Sequence, residues 1–250
     1  MQSYIFLDLD DTLFQTLRKC EYPANDPRLI ARAYLEDGSP NSYATDKQQW
    51  VWDYFTKGFK VVAVTGRDAL AFKRVNLPFT EEVVLNHGAV ILNKDRELDR
   101  VWMQRMRQSL PVYQDKFLEI WDDIEHYCLS HIGYKTRLVI DFEIIWYGVI
   151  KHVDVSEEIL EKLLNDVILK HPHILDGSLY WHLNGNNLAV LPSIINKESA
   201  VRYLIDNYKT QYTELVTFGA GDSHTDAAFM SLCDYAIIPK NTQLFKTLTT

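Results

Sequence analysis

The segment from Tyr4 to Leu9 is a short apolar run that ends among acidic residues. A run of this length, without the apolar spacing of a helix, predicts a β-strand that is buried on both faces. Its carboxyl end carries Asp8, Asp10 and Asp11. Strands buried on both faces are typical of parallel sheets covered by helices, so the sequence predicts an α/β fold.

Strands and helices alternate in two outer parts of the chain. The predicted strands are 60 to 64, 82 to 85, 214 to 218 and 235 to 238, with a short return strand at 90 to 92. The predicted helices are 46 to 57, 197 to 208 and 225 to 232; the first is capped by Asp46 and has Trp50, Tyr54 and Phe55 on one face. This alternation predicts one doubly wound parallel sheet built from residues 1 to 92 and 193 to 250.

The middle of the chain, residues 93 to 192, has a different pattern. Helices are predicted at 112 to 130 and, capped by Ser156, at 156 to 170, and paired strands at 135 to 141 with 144 to 150 and at 178 to 183 with 187 to 191. The block therefore predicts an inserted α+β lobe. Residues 16 to 46 contain three prolines and only a short helical pattern at 28 to 35, which predicts an irregular connection.

Composition and charge argue against nucleic-acid binding, disulfide bonds and membrane insertion. The net charge of −8 leaves no basic surface for nucleic acid. The three cysteines form no disulfide or CxxC pattern, which favours a reducing, cytoplasmic location. The N-terminus lacks a basic leader, and the apolar stretch from Leu138 to Ile150 is interrupted by Asp141 and Glu143, so no membrane span is predicted. The pattern predicts no particular oligomeric state.

Polar residues at the predicted strand ends indicate a ligand site. In an open α/β sheet, ligands bind beyond the carboxyl ends of the strands, where Asp8, Asp10, Thr65 and Asp222 fall. With Asp226, four carboxylates in one pocket raise each other's pKa values unless a cation lies among them. Ligands that are all oxygen favour Mg²⁺. Taken singly, each of these residues also fits a solvated turn or a helix cap.

The motifs and their order resemble the haloacid dehalogenase (HAD) superfamily of phosphohydrolases. The matching segments are Asp8-Leu9-Asp10-Asp11-Thr12-Leu13, the strand Val61 to Thr65, the single Lys197, and Gly221-Asp222-Ser223-His224-Thr225-Asp226. The long insertion after an Asn-His-Gly-Ala turn resembles the Cof-type and sucrose-phosphatase-like branch, whose cap domain is a large α+β unit. Two positions depart from this pattern: His87 lies inside the turn, and Thr225 stands where members often have Asn.

The resemblance implies a role for each site residue. Asp8 is expected to attack the phosphoryl group, and Asp10 to act as general acid and base. The phosphoryl group would be bound by Thr65 and Lys197. Mg²⁺ would be held by Asp8, Asp222 and the main-chain carbonyl of Asp10, with Asp226 orienting Lys197 or a water of the metal shell. Arg67, His87 and His224 are expected to be structural or surface residues.

The expected function is Mg²⁺-dependent hydrolysis of a small phosphorylated metabolite, a sugar phosphate, through an aspartyl-phosphate. The cap, residues 93 to 192, would set substrate specificity. Two alternatives stay open at this point: phosphotransferase or phosphomutase chemistry through the same intermediate, and a catalytically silent protein that binds a phosphorylated metabolite. The Asp8 and Asp10 pair argues against the silent protein, because binding alone needs no protonatable group beside a nucleophile.

Overall fold

A computed structural model describes residues 1–248 of the 250-residue chain. The strands, in chain order, are β1 (Gln2–Leu7), β2 (Gln15–Thr16), β3 (Ile30–Tyr34), β4 (Pro40–Ala44), β5 (Lys60–Val64), β6 (Val83–Leu85), β7 (Val90–Leu92), β8 (Tyr134–Asp141), β9 (Ile144–His152), β10 (Leu179–Leu183), β11 (Leu188–Pro192), β12 (Leu215–Ala220) and β13 (Tyr235–Ile237). The helices are α1 (Asp46–Gly58), α2 (Ala69–Lys73), α3 (Arg100–Ser109), α4 (Pro111–Ser130), α5 (Glu157–Asp166), α6 (Pro172–Leu175), α7 (Lys197–Gln211), α8 (His224–Met230) and α9 (Gln243–Thr247).

The chain divides into two compact units. The first contains Met1–Arg100 and the segment from Asn196 onward, and the second contains Val101–Ile195. These bounds differ from the predicted lobe of 93 to 192 at both ends. Residues up to Asp99 stay attached to β7, because the Asp99 amide donates to the Ile91 carbonyl at 2.8 Å. At the other end, the Ser193 amide donates to the Ser178 carbonyl at 2.9 Å, which ties 193 to the second unit.

The first unit contains a six-stranded sheet in the order β13-β12-β1-β5-β6-β7. All neighbouring pairs are parallel except β6 with β7, so the predicted α/β class is confirmed. The central strand β1 is apolar because both of its faces are covered, and Tyr4 to Leu7 are at most 1% exposed. Its position between β12 and β5 brings three loops to the same edge of the sheet.

The segment from 16 to 46 is not irregular, and that prediction is wrong. Strands β2, β4 and β3 form a separate three-stranded antiparallel sheet in the first unit. The pairing of β3 with β4 shifts register between Ala31 and Ala33 and again between Ala33 and Tyr34. Such irregularities break the two-residue alternation by which a strand is recognised, so the helical pattern at 28 to 35 was misleading.

Helix α1 differs from its prediction in its cap and its buried face. The cap is Thr45, whose hydroxyl accepts from the Gln48 amide while the Gln48 side chain accepts from the Thr45 amide. The buried aromatic residues are Trp52 and Phe55. Trp50 and Tyr54, predicted on the apolar face, instead stack on each other at the surface.

The second unit is built on a four-stranded antiparallel sheet in the order β10-β11-β9-β8. Helices α4 and α5 bury apolar side chains against this sheet, including Phe117, Ile124, Leu160 and Leu163. Ser156 caps α5 by accepting from the Ile159 amide, as predicted. Among residues 1–248, no helix has the length and apolar character needed to cross a bilayer.

Candidate active site

The predicted site residues begin where β1 ends. Strand β1 pairs with β12 and with β5, so that Leu7 lies opposite Ala220 on one side and Ala63 on the other. The register continues one residue further, because the Asp8 amide donates to the Ala220 carbonyl at 2.9 Å. Asp8, Thr65 and Asp222 therefore follow the ends of three adjacent parallel strands.

Lys197 is a buried cation between two buried carboxylates. Its Nζ donates to Asp8 Oδ1 at 2.7 Å and to Asp226 Oδ1 at 2.6 Å, and the residue is 6% exposed. It is the first residue of α7, whose cap Asn196 accepts from the Ser199 amide. Burial disfavours the charged ammonium, but the carboxylates of Asp226 and Asp8 outweigh this effect and raise the pKa of Lys197.

Asp226 is held by the start of α8. Its Oδ2 accepts from the Ser223 hydroxyl at 2.6 Å and from the Ser223 and Asp222 amides at 3.0 and 3.2 Å. Burial would raise the pKa of Asp226, yet the Lys197 ammonium and these donors keep it below its ordinary value. Asp226 is therefore a fixed anion that orients Lys197.

Asp8 and Asp222 are the more weakly compensated acids. Asp8 also accepts from the Thr12 hydroxyl at 3.1 Å, but burial, together with the Asp226 and Asp222 carboxylates, raises its pKa well above the ordinary value. Burial, followed by the Asp226 carboxylate, raises the pKa of Asp222 to about 7. Within the described chain, the Asp222 carboxylate accepts no hydrogen bond, although the residue is 5% exposed.

These residues fit a divalent cation. One carboxylate oxygen each from Asp8, Asp222 and Asp226 lies within 4.8 Å of the others. Three buried carboxylates face one ammonium, which leaves two negative charges in surroundings where unpaired charge is costly. Oxygen donors in this number suit Mg²⁺. A cation here would also lower the pKa values that burial raises, which keeps Asp8 ionised.

The carboxylate of Asp10 does not join this group. It lies in the fork of the Arg67 guanidinium, whose Nε and Nη2 each donate to one Asp10 oxygen at 2.7 Å. The Arg67 side chain is only 14% exposed. The expectation that Arg67 is a surface residue is therefore wrong. Both carboxylate oxygens of Asp10 therefore accept from Arg67, outside the acidic cluster around Lys197.

Thr65 is buried and anchored at the end of β5. Its hydroxyl accepts from the Arg67 amide at 3.1 Å, and its own amide donates to the Val84 carbonyl. His224 is exposed, in contrast to the buried acids, and its amide donates to the Gln243 side chain at 3.1 Å. His87 lies against Gly66, which belongs to the loop of residues 65 to 67 after β5, called the Thr65 loop.

Three supporting side chains were not among the residues predicted from the sequence to act in the site. Thr12 and Ser223 each donate a hydroxyl hydrogen bond to a site carboxylate, and Arg67 binds Asp10. For Ser223 a signal was available, because a serine three residues before an acid at a helix start is the pattern of a capping box. Thr12 lies inside the Asp8 to Leu13 segment that carries the family resemblance, whereas Arg67 has no comparable local signal.

A family model described as sucrose-6F-phosphate phosphohydrolase matches residues 1–246. The chain belongs to this family. The match confirms the predicted kinship with the HAD phosphohydrolases and their sucrose-phosphatase-like branch. A relative from Methanococcoides burtonii, a glucosyl-3-phosphoglycerate/mannosyl-3-phosphoglycerate phosphatase, is 38% identical over 58 residues. That alignment covers 23% of this chain and only 18% of the relative's own length.

The fold of this chain is similar to that of solved structures whose sequence identity to it is low. The sucrose-phosphatase of Synechocystis, determined with sucrose and phosphate, superimposes with a TM-score of 0.54 at 14% identity, over 100% of this chain and 96% of that one. The C-terminal domain of C. albicans trehalose-6-phosphate phosphatase gives a TM-score of 0.59 at 16% identity, over 92% and 73% of the two chains. The family and these neighbours are phosphatases, which are phosphoric monoester hydrolases.

Proposed function

We propose that this protein is a Mg²⁺-dependent phosphatase that hydrolyses a small sugar phosphate through an aspartyl-phosphate on Asp8. The observation that carries the proposal is the position of the Lys197 ammonium, 2.7 Å from Asp8 and 2.6 Å from Asp226 inside a buried acidic cluster. A buried lysine between two carboxylates, with a third acid unneutralised, is costly for stability alone. Such an arrangement is typical of a site built to receive an anion together with a cation.

The proposed reaction has two displacements at phosphorus. In the first, a carboxylate oxygen of Asp8 forms a bond to phosphorus while the bond to the sugar oxygen breaks, and the leaving oxygen takes a proton from Asp10. In the second, Asp10 accepts a proton from a water whose oxygen bonds to phosphorus, and the bond to Asp8 breaks. Inorganic phosphate and the free sugar are the products, and Asp8 and Asp10 return to their initial states.

Arg67 gives Asp10 a defined place between these steps. The guanidinium donates two hydrogen bonds to the Asp10 carboxyl group, and the proposed reaction requires this group to move between the fork and the leaving oxygen. Lys197 and the Thr65 hydroxyl would contact the phosphoryl oxygens, where negative charge develops. Asp8, Asp222, Asp226 and the Asp10 main-chain carbonyl are the groups proposed to hold Mg²⁺. The ion would supply charge neutralisation at the phosphoryl oxygens when bound.

The substrate class is inferred from kinship. The family description and the named relatives all refer to phosphatases of phosphorylated sugars or sugar derivatives. We extend this class, without naming one sugar, to the present chain. The role of residues 93 to 192 in substrate specificity and a cytoplasmic location stay predictions from the sequence.

The test is phosphate release from a panel of sugar phosphates, measured with Mg²⁺ and with EDTA. We expect release that requires Mg²⁺ and that falls at least 10³-fold in Asp8→Asn, prepared in parallel to exclude a contaminating phosphatase. The reaction products are also analysed by mass spectrometry with a second sugar present. Phosphate transferred to that sugar would favour the phosphotransferase, and tight binding without turnover would favour a silent binding protein.

A further inference from the structure

The turn formed by Asn86, His87 and Gly88, called the 86–88 turn, has an unusual backbone. It connects β6 to β7, and its three residues have φ values of 51°, 56° and 106°. Residues other than glycine seldom adopt left-handed φ values, because their Cβ then lies too close to the following carbonyl oxygen. Two such residues in succession persist only when their surroundings hold them in place. The reaction proposed above assigns no task to this turn.

On one side, the turn is fastened to the loop that follows β5. The His87 amide donates to the Thr65 carbonyl at 3.1 Å, and the Asn86 amide donates to the Arg67 carbonyl at 2.9 Å. The imidazole of His87 lies directly over Gly66, since a Cβ added there would be 2.4 Å from His87 Nε2. The turn therefore contacts all three residues from 65 to 67.

On the other side, the turn packs against the start of α7. A Cβ added to Gly88 would lie 2.2 Å from the Asn196 carbonyl oxygen and 3.1 Å from the Lys197 amide nitrogen. This contact is between backbones, so it leaves no flexible side chain that could yield. Asn196 is the cap of α7 and Lys197 is its first residue, so the turn touches the backbone from which the buried ammonium extends.

We propose that the 86–88 turn is a positioning element that fixes the spacing between the Thr65 loop and the Lys197 end of α7. The inference rests on the proposed function, in which the Thr65 hydroxyl and the Lys197 ammonium bind the same phosphoryl group. No atom of the turn needs to touch the substrate. The turn keeps the Thr65 hydroxyl, at the end of a strand, at a fixed distance from the Lys197 ammonium, at the start of a helix. A displacement of about 1 Å in groups that bind a substrate reduces turnover on the order of 10²-fold.

The first test compares Gly88→Ala with Gly38→Ala. Gly38 also has a positive φ, 81°, but a Cβ added there meets nothing within 4 Å. Both variants carry the cost of a left-handed alanine, whereas only Gly88→Ala collides with Asn196. We expect kcat to fall 10- to 100-fold in Gly88→Ala, with amide hydrogen exchange rising at 196–199, while Gly38→Ala stays within twofold of wild type in kcat.

The second test uses the contact between Gly66 and His87. Gly66→Ala should lower kcat less than Gly88→Ala, because the new methyl group overlaps the end of the His87 side chain, which can move more easily than the Asn196 backbone. Adding His87→Ala removes the obstacle, so the double variant should return to the level of His87→Ala alone. A methyl group that disturbed the substrate directly would give no such rescue. This pair decides the matter if Gly88→Ala does not fold.

The outcomes separate this proposal from the proposed function. Equal kcat and equal exchange at 196–199 in Gly88→Ala and Gly38→Ala, or no rescue of Gly66→Ala by His87→Ala, would overturn the positioning role. A wild-type protein that releases no phosphate from any sugar phosphate would instead refute the proposed function. In that case amide hydrogen exchange alone tests the positioning role. Faster exchange at 196–199 in Gly88→Ala, but not in Gly38→Ala, would support it.

Discussion

Replacing Lys197 with methionine tests both the stability and the chemistry of the buried cluster. Asp8 and Asp226 are 4% and 0% exposed, and the Lys197 ammonium lies within 2.7 Å of each. Removing one partner of a buried ion pair while its acids stay in place costs about 3 to 5 kcal/mol. For a chain of this length, such a loss lowers the unfolding midpoint by on the order of 10 °C in calorimetry.

A double variant separates charge compensation from catalysis. In Lys197→Met/Asp226→Asn one of the two stranded carboxylates becomes neutral, so a substantial part of the lost stability should return. Phosphate release should stay 10² to 10³-fold below wild type in both variants, because the cation at the phosphoryl group is missing. Lys209→Met, an exposed position on the same helix, serves as the control and should change stability by less than about 0.5 kcal/mol. A Lys197→Met protein with wild-type stability and turnover would show that the ammonium neither compensates the buried carboxylates nor assists phosphate release.

Three further predictions concern Arg67, Ser223 and Asp222. Arg67→Lys replaces a two-bond fork by a single point charge, so kcat measured by phosphate release should fall roughly tenfold or more; wild-type kcat would show that the fork is not used. Ser223→Ala removes the 2.6 Å bond to Asp226 and should cost about 1.5 to 3 kcal/mol in urea unfolding, whereas an unchanged midpoint would contradict that bond's importance. The pKa of Asp222 is raised from 3.8 to about 7 by burial, so metal-free folded protein binds its proton more tightly than unfolded protein. In EDTA the free energy of unfolding of the wild type should therefore fall relative to that of Asp222→Asn as the pH rises from about 4 to 7, and a difference that stays constant over that interval would contradict the assignment.

Much of the site was predictable because it depends on strand ends. Asp8 and Thr65 directly follow their strands and Asp222 lies two residues after β12, and parallel strands in one sheet present their carboxyl ends at the same edge. The start of α7 at Lys197 was likewise visible, since Asn196 is a good helix cap. These features are local in sequence, and the resemblance to a known family supplied the order in which they act.

Other features depend on contacts between distant residues and could not be predicted. Asp10 and Arg67 are 57 positions apart, and nothing local distinguishes this arginine from one on the surface. The three-stranded sheet of β2, β4 and β3 was missed because its register shifts remove the alternation expected of a strand. The exposed stacking of Trp50 on Tyr54 was missed because helical spacing alone does not show which aromatic face the sheet covers.

The aspartyl-phosphate mechanism is tested most directly by a search for a phosphoryl group on Asp8. Protein mixed with a hydrolysable phosphate ester and Mg²⁺ is quenched in acid within the first turnovers, digested, and analysed by mass spectrometry. The aspartyl-phosphate mechanism predicts a peptide phosphorylated at Asp8, from which hydroxylamine removes the phosphoryl group, and no such peptide from Asp8→Asn. Turnover by wild type without label at Asp8, together with undiminished turnover by Asp8→Asn, would contradict it.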